Sequence, residues 1–311
     1  MREGITMKRV LLTVLFVSLL SATGAQAQQA DLRDYEAGFF VPHRGIISNM
    51  YLRHVSASGE RDFSQLQAAF RATYVLKFGD LVVVPFDVSL PVVDVTVFTG
   101  NPATPSAPKT ALRASGVGDV TYIPTIGYGL VQNPEDNTHT WFAFTPYVTV
   151  PVGQYDSNKL VNIGANRWVV RPQLVAGQRF KKIFTVEAMA SMAFQGDNDE
   201  FLVPSAEGGS KLVMSQAPSF GGIFHFGMDL SSTFFTGAGY IVEASGKRTI
   251  DTPVGEVEVA KRTTVQSLRL TMGIRLEKAS TLMLQFQPDV AVSEGVTKSQ
   301  FIGARFTHVF F

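Results

Sequence analysis

The chain has 311 residues, 45 % of them apolar and 17 % charged, with a formal net charge of +1. That balance excludes a disordered chain and gives no electrostatic case for nucleic acid as a partner. Cysteine is absent, which excludes disulfide frameworks, CxxC sites and thiol nucleophiles.

Lys8 and Arg9 precede the apolar run Val10–Leu20, and small residues lead to Ala25-Gln26-Ala27. This pattern predicts a secretory signal over residues 1–27, with Met7 as its natural start. The run is shorter than the roughly 20 apolar residues of a membrane anchor. Downstream, the longest pure apolar run is about as short as Leu81–Phe86, so no transmembrane helix is expected. Residues 28–47 are mixed and read as a periplasmic tail or a plug.

Residues 48–311 read as strands. The first is Ser48–Ala57, followed by the polar loop SGERDFS. In the second, Leu66, Ala68, Phe70, Ala72, Tyr74, Leu76 and Phe78 alternate with Gln65, Gln67, Arg71, Thr73 and Lys77. Gly79-Asp80 turns into a third strand, Leu81–Val95, and a Pro- and Thr-rich loop follows over Thr96–Ser115. Three strands fill Gly116–Phe180: GVGDVTYIPTIGYGL, HTWFAFTPYVTVPVG and RWVVRPQLVAGQRF. Six more follow at Ile183–Gln195, Gln216–Leu230, Ser232–Ser245, Thr263–Glu277, Thr281–Val292 and Ser299–Phe311. The Gly196 stretch and the six-charge Gly246–Arg262 stretch read as loops.

Sustained alternation is a strand signal, and these strands reach the roughly 9–11 residues that cross a bilayer. The fold class is therefore all-β: a closed antiparallel transmembrane β-barrel of about 12 strands. Connections after even strands are short and those after odd strands long, as outer-membrane barrels have them. Both termini are then periplasmic, in the outer membrane of a Gram-negative cell. The expected partners are outer-membrane lipid and lipopolysaccharide, and the barrel-assembly machinery, whose signal the terminal Phe310-Phe311 resembles.

The apolar set falls on even numbers, so odd residues should face the lumen. This brings Arg71, Lys77, Asp87, Asp119, Arg171, Arg179, Glu187, Asp229, Arg269, Arg275, Glu277 and Arg305 inward. They either brace the barrel as ion pairs or line a path in which Ile123 and Tyr147 offer apolar contact. Arg71 and Asp87 lie equidistant from Gly79, which predicts a cross-strand pair of roughly 0.2–1 kcal/mol in a wet lumen. Pro85 is the place where a bulge could shift that register. Trp168, Tyr128 and Phe180 are candidates for the aromatic girdles.

Other patterns carry little. Gly116-Val-Gly-Asp119 lacks the Lys-Ser/Thr of a phosphate loop. His43, His54, His139, His225 and His308 show no metal-ligand spacing. The run Asp197–Glu200 suits a solvated loop better than a cation site. No cofactor or metal is expected.

Several stretches resemble the outer-membrane transporter family named for the meta pathway of phenol degradation. They are Gly116-Val-Gly118-Asp119, the run Thr145 to Asp156 with Pro151, Gly153 and Tyr155, and Asn162-Ile-Gly164-Ala-Asn166-Arg-Trp168. The early DYEAGFFVPHRG and NMYLRH segments are similar too. Val152 stands where the family has Thr. The resemblance implies a channel for passive uptake of small hydrophobic or aromatic compounds. Two alternatives stand beside it. One is a phospholipase-like barrel enzyme, for which His54 and His308, the histidines of lipid-facing parity, lack the local motif of such a base, so no catalytic residue is expected. The other is a structural barrel without transport.

Overall fold

The computed structural model describes residues 43–58, 62–99, 109–133, 135, 137–203, 210–277 and 279–310. The signal sequence, most of residues 28–47, and Phe311 lie outside the described residues. The wall opens with β1 (Arg44–Ala57), β2 (Asp62–Phe78) and β3 (Leu81–Thr99). β4 (Thr110–Val117), β5 (Val120–Tyr122) and β6 (Thr125–Asn133) are three pieces of one stave. β7 (Thr138–Val150), β8 (Val169–Phe180) and β9 (Phe184–Gln195) continue the wall. β10 (Asn198–Val203) and β11 (Ser210–Gln216) leave it, and β12 (Ser219–Asp229) and β13 (Phe234–Ser245) rejoin it. β14 (Arg248–Thr252) and β15 (Gly255–Ala260) leave again before β16 (Thr263–Glu277), β17 (Ser280–Val292) and β18 (Ser299–Phe310).

β18 closes on β1 from Ile46↔Phe310 to Ala57↔Ser299 without a register shift. With β4, β5 and β6 counted as one stave, the 14-stranded sheet is a closed antiparallel barrel of twelve. Even-numbered residues form the outer belt: Leu52, Leu174, Leu270 and Leu284 are each more than half exposed. Trp168, Tyr128 and Phe180 are exposed on that face. A closed barrel with an apolar exterior leaves no unpaired edge, which is what a bilayer demands. Beyond the belt, Arg113 and Asp94 form an exposed 2.5 Å ion pair across β3 and β4.

The structure departs from the sequence reading in four places. Arg44–Ile47 belong to β1, so the wall starts four residues before Ser48. The Thr96–Ser115 stretch is not all loop, because β3 extends to Thr99 and pairs with β4. The Gly196 and Gly246–Arg262 stretches build a second sheet, β10-β11-β14-β15, outside the wall. It has its own core of Phe201, Met214, Ile250 and Val259.

The fourth departure is at Pro85. Register shifts between Tyr74 and Leu76 on β2, opposite a bulge on β3. Proline supplies no ladder donor, so the extra residue sits there at little cost. Its free carbonyl accepts the Tyr122 hydroxyl at 2.7 Å. Pro85 and Phe86 are both exposed, and below them the facing inverts: Val82 and Val84 turn inward against Ile47 and Val75. Even parity therefore fails for Leu81–Val84. Asp87 lies above the bulge and keeps its inward facing, 1 % exposed.

Candidate functional site: a cavity at the extracellular mouth

The linker of residues 151–168 after β7 does not stand out in solvent. It folds back so that Val161 packs on Val95 and Val97, inward residues of β3, with Leu160 and Ile163 beside it. Apolar side chains in this linker have no other core to join, and the lumen wall supplies one.

Asp119 holds the fold-back. The Gly153 N–H donates to Asp119 Oδ1 at 2.9 Å, and the Ala165 N–H donates to Oδ2 at 2.7 Å. One carboxylate therefore clasps both ends of the loop. Gly153 and Gly164 meet at this clasp. A Cβ on Gly153 would lie 2.7 Å from Asp119 N, and one on Gly164 would lie 2.8 Å from Gly153 O. Only glycine allows the strands of the loop to approach so closely. Asn162 accepts from the Asp156 N–H at 2.8 Å and donates to the Asp156 and Lys159 carbonyls at 3.1 Å. Asn166 donates to Asn198 Oδ1 at 3.1 Å, and Asn198 Nδ2 donates to the Tyr155 hydroxyl at 3.1 Å. Tyr155 donates in turn to the Glu200 carbonyl, which ties the loop to the outer sheet. Gly116 abuts the Gln154 side chain, and Gly118 donates its N–H to the Pro91 carbonyl at 2.9 Å. Pro151 follows β7 directly, and Trp168 precedes β8 with its ring outward. Seven of the ten motif residues thus lie in one clasped loop, and Gly116, Gly118 and Asp119 lie at the β4–β5 junction that holds it.

Beneath the loop is a cavity of about 270 Å³. Among the fourteen lumenal candidates, Asp119, Tyr147 and Arg171 line it. The Arg171 guanidinium lies 4.7 Å from the Tyr147 ring centroid. Along the strands, two residues deeper than lining residues Ser191, Gly221 and Glu243, an apolar layer begins. It comprises Ala143, Val175, Met189, Ile223 and Ile241.

The other candidates sit elsewhere. Arg71 donates from Nε and Nη2 to Asp87 at 2.8 and 2.6 Å. This pair is diagonal, since Thr73 rather than Arg71 stands opposite Asp87. Asp229 joins Arg179 and Arg275 near the short turns, with Arg275 at 2.7 Å. Glu187 is buried 3.9 Å from His225 Nδ1, Arg269 donates to Gln287 at 2.8 Å, and Arg305 is buried. Ile123 is 2 % exposed and donates its N–H to the Asp87 carbonyl, while Lys77 is half-buried at the foot of β2. The side chain of Glu277 falls outside those described. Further along the wall the inward side chains Trp141, Met283 and Ile241 are fully buried. Gly177, directly opposite Trp141, leaves room for the indole that any Cβ would strike.

Sequence reasoning missed Arg167, Gln216 and Arg248, which also line the cavity. Arg167 lies inside the quoted run Asn162 to Trp168. Arg248 stands on the β14–β15 hairpin, whose charged sequence reads as loop. His54 and His308 each meet a serine, Ser64 at 3.0 Å and Ser280 at 2.8 Å. Neither ring has a carboxylate on its second nitrogen among the described residues.

A closed twelve-stave barrel with an apolar belt and an infolded mouth loop is an outer-membrane β-barrel. The chain belongs to the family described as "Putative MetA-pathway of phenol degradation", whose model matches residues 36–306. The COG4313 outer membrane channel from Pseudomonas putida F1 overlays with a TM-score of 0.75 at 21 % identity, covering 91 % of this chain and 100 % of that one. A deltaS2S3 mutant of the monoaromatic hydrocarbon channel TodX overlays with a TM-score of 0.51 at 8 % identity, covering 88 % and 92 %. No curated protein matches the sequence significantly.

Proposed function

We propose that this protein is an outer-membrane channel that admits small hydrophobic or aromatic solutes passively. The observation that carries this reading is the cavity under the clasped loop, continuous along the wall with the apolar layer of Val175, Met189, Ile223 and Ile241. Its volume lies just below the roughly 300 Å³ lower end of ligand pockets, which suits a single-ring solute. The family's tie to phenol degradation supports the same class of cargo. On this reading residues 1–27 direct export, the barrel-assembly machinery inserts the mature chain, and the outer belt meets lipid and lipopolysaccharide. The buried ion pairs brace the wall, and Asp119, Tyr147 and Arg171 face the solute.

Proteoliposomes holding the protein should take up a small neutral aromatic faster than empty liposomes. Planar bilayers should show discrete conductance steps. A silent bilayer together with uptake equal to that of empty liposomes would end the channel reading. The Ser64–His54 and Ser280–His308 contacts are the observations favouring an enzyme. A serine and histidine without a group to orient the imidazole make a weak nucleophile. Ser280→Ala should leave any trace of phospholipid hydrolysis unchanged.

A further inference from the structure

We propose that the mouth cavity is a binding site for a small carboxylate with an apolar body, held by Arg167 and Arg248. This rests on the channel reading and names the class of solute the mouth selects. Both arginines are buried, 5 % exposed each, and both line the cavity. They converge on one neutral oxygen: Arg167 Nη2 donates to Gln216 Oε1 at 2.7 Å, and Arg248 Nε donates to the same atom at 3.0 Å. Two guanidinium cations therefore share a single uncharged acceptor. Arg167 Nε and Nη1 are buried and have no hydrogen-bond partner. A buried cation with unused donors is costly unless an anion completes it.

Asp119, Asp289 and Asp197 do not complete it. Both oxygens of Asp119 are taken by the Gly153 and Ala165 N–H groups. Asp289, also on the cavity wall, accepts from Ser267 and twice from Ser299. Asp197 and Asp119 act on Arg167 only through space. Burial drives Arg167 down to about 10, and burial together with Arg167 drives Arg248 down to about 9. Arginine does not give up its proton in proteins, so these shifts express the cost of burying the two cations, to which Arg167 adds repulsion at Arg248, and an anion would relieve both.

The geometry also selects the rest of the ligand. Gln216 stands opposite Arg248, and two residues along Met214 stands opposite Ile250. The same sheet face is thus polar at the arginines and apolar next to them, with Phe201 packed on Met214. A planar carboxylate matches the guanidinium fork, and an aromatic or short aliphatic body matches the apolar part.

The test is calorimetric titration of the full protein in detergent micelles with benzoate and its neutral isostere benzamide. Benzoate should bind more tightly than benzamide. Arg248→Gln should lower the benzoate-to-benzamide affinity ratio by roughly tenfold or more, as loss of a charge-assisted contact does. Gln216→Glu places a carboxylate between the two guanidinium groups. It should fold at least as stably as the parent and abolish the preference for benzoate, which covers the case in which Arg248→Gln fails to fold. Equal affinity for benzoate and benzamide overturns the proposal. Displacement of benzoate by equimolar acetate or chloride also overturns it, because the site would then hold an inorganic or minimal anion only. A flux measurement with benzamide separates the two readings. Flux without a benzoate preference removes this site and keeps the channel. Benzoate bound without any flux keeps the site and removes the channel.

Discussion

Asp87 has a side chain only 2 % exposed, and Arg71 meets it with two donors. Arg71 is itself only 17 % exposed, so the pair is worth more than an exposed one. A double-mutant cycle of Arg71→Ala and Asp87→Ala, read by urea unfolding in lipid vesicles, should give a coupling of about 1.5–3 kcal/mol. Arg71→Ala alone should cost about 3 kcal/mol or more, because it strands a buried carboxylate. Symmetry about Gly79 identified these partners in the sequence. It did so by compensation: the turn centre and the bulge displace the register, and the long Arg71 side chain spans the diagonal. Asp119→Ala acts differently. It frees two N–H groups of the mouth loop and touches no wall ladder. The folded barrel should persist, with heat-modifiable migration unchanged, while mean single-channel conductance rises. Unaltered conductance would show that the loop is held without the clasp. The Asp119 clasp was not legible, because a carboxylate bound to backbone N–H groups 34 and 46 residues away leaves no mark on local spacing.

At the scale of elements, alternation made the long wall strands readable, since each buries one face and shows the other to lipid. It failed where strands are short or where charge falls on both faces. β15 alternates Val257 and Val259 with Glu256 and Glu258, yet the dense charge of its surroundings reads as loop. β4 is a piece of stave that lies partly beyond the membrane, so its polar outer residues hide it. The inverted facing at the foot of β3 was invisible for a different reason. Leu81–Val84 is apolar throughout, and an unbroken apolar run has no phase to read. Because the natural chain lacks cysteine, facing can be measured directly. Single cysteines at Val83 and Phe86 should react with lipid-soluble maleimide, whereas those at Val82 and Val84 should be protected. The opposite pattern would place the bulge elsewhere.

At the scale of the molecule, two sheets divide the labour. The wall closes on itself, and the β10-β11-β14-β15 sheet pairs with it nowhere in the ladder. Excising Arg248–Ala260 should therefore leave the barrel folded and raise its conductance, checked by circular dichroism and planar bilayers; an unfolded product would show that the outer sheet supports the wall. The Asp119 clasp has a consequence for the order in which this molecule is built. Its hydrogen bonds span 34 and 46 residues, whereas side chains meeting across the β1–β18 seam are 244 and 258 apart. Contacts of short sequence separation cost less chain entropy and form sooner. The entrance loop can thus be tied down on a growing, still open curl of β3 to β8. The last event, joining first stave to last, would then enclose an entrance already furnished.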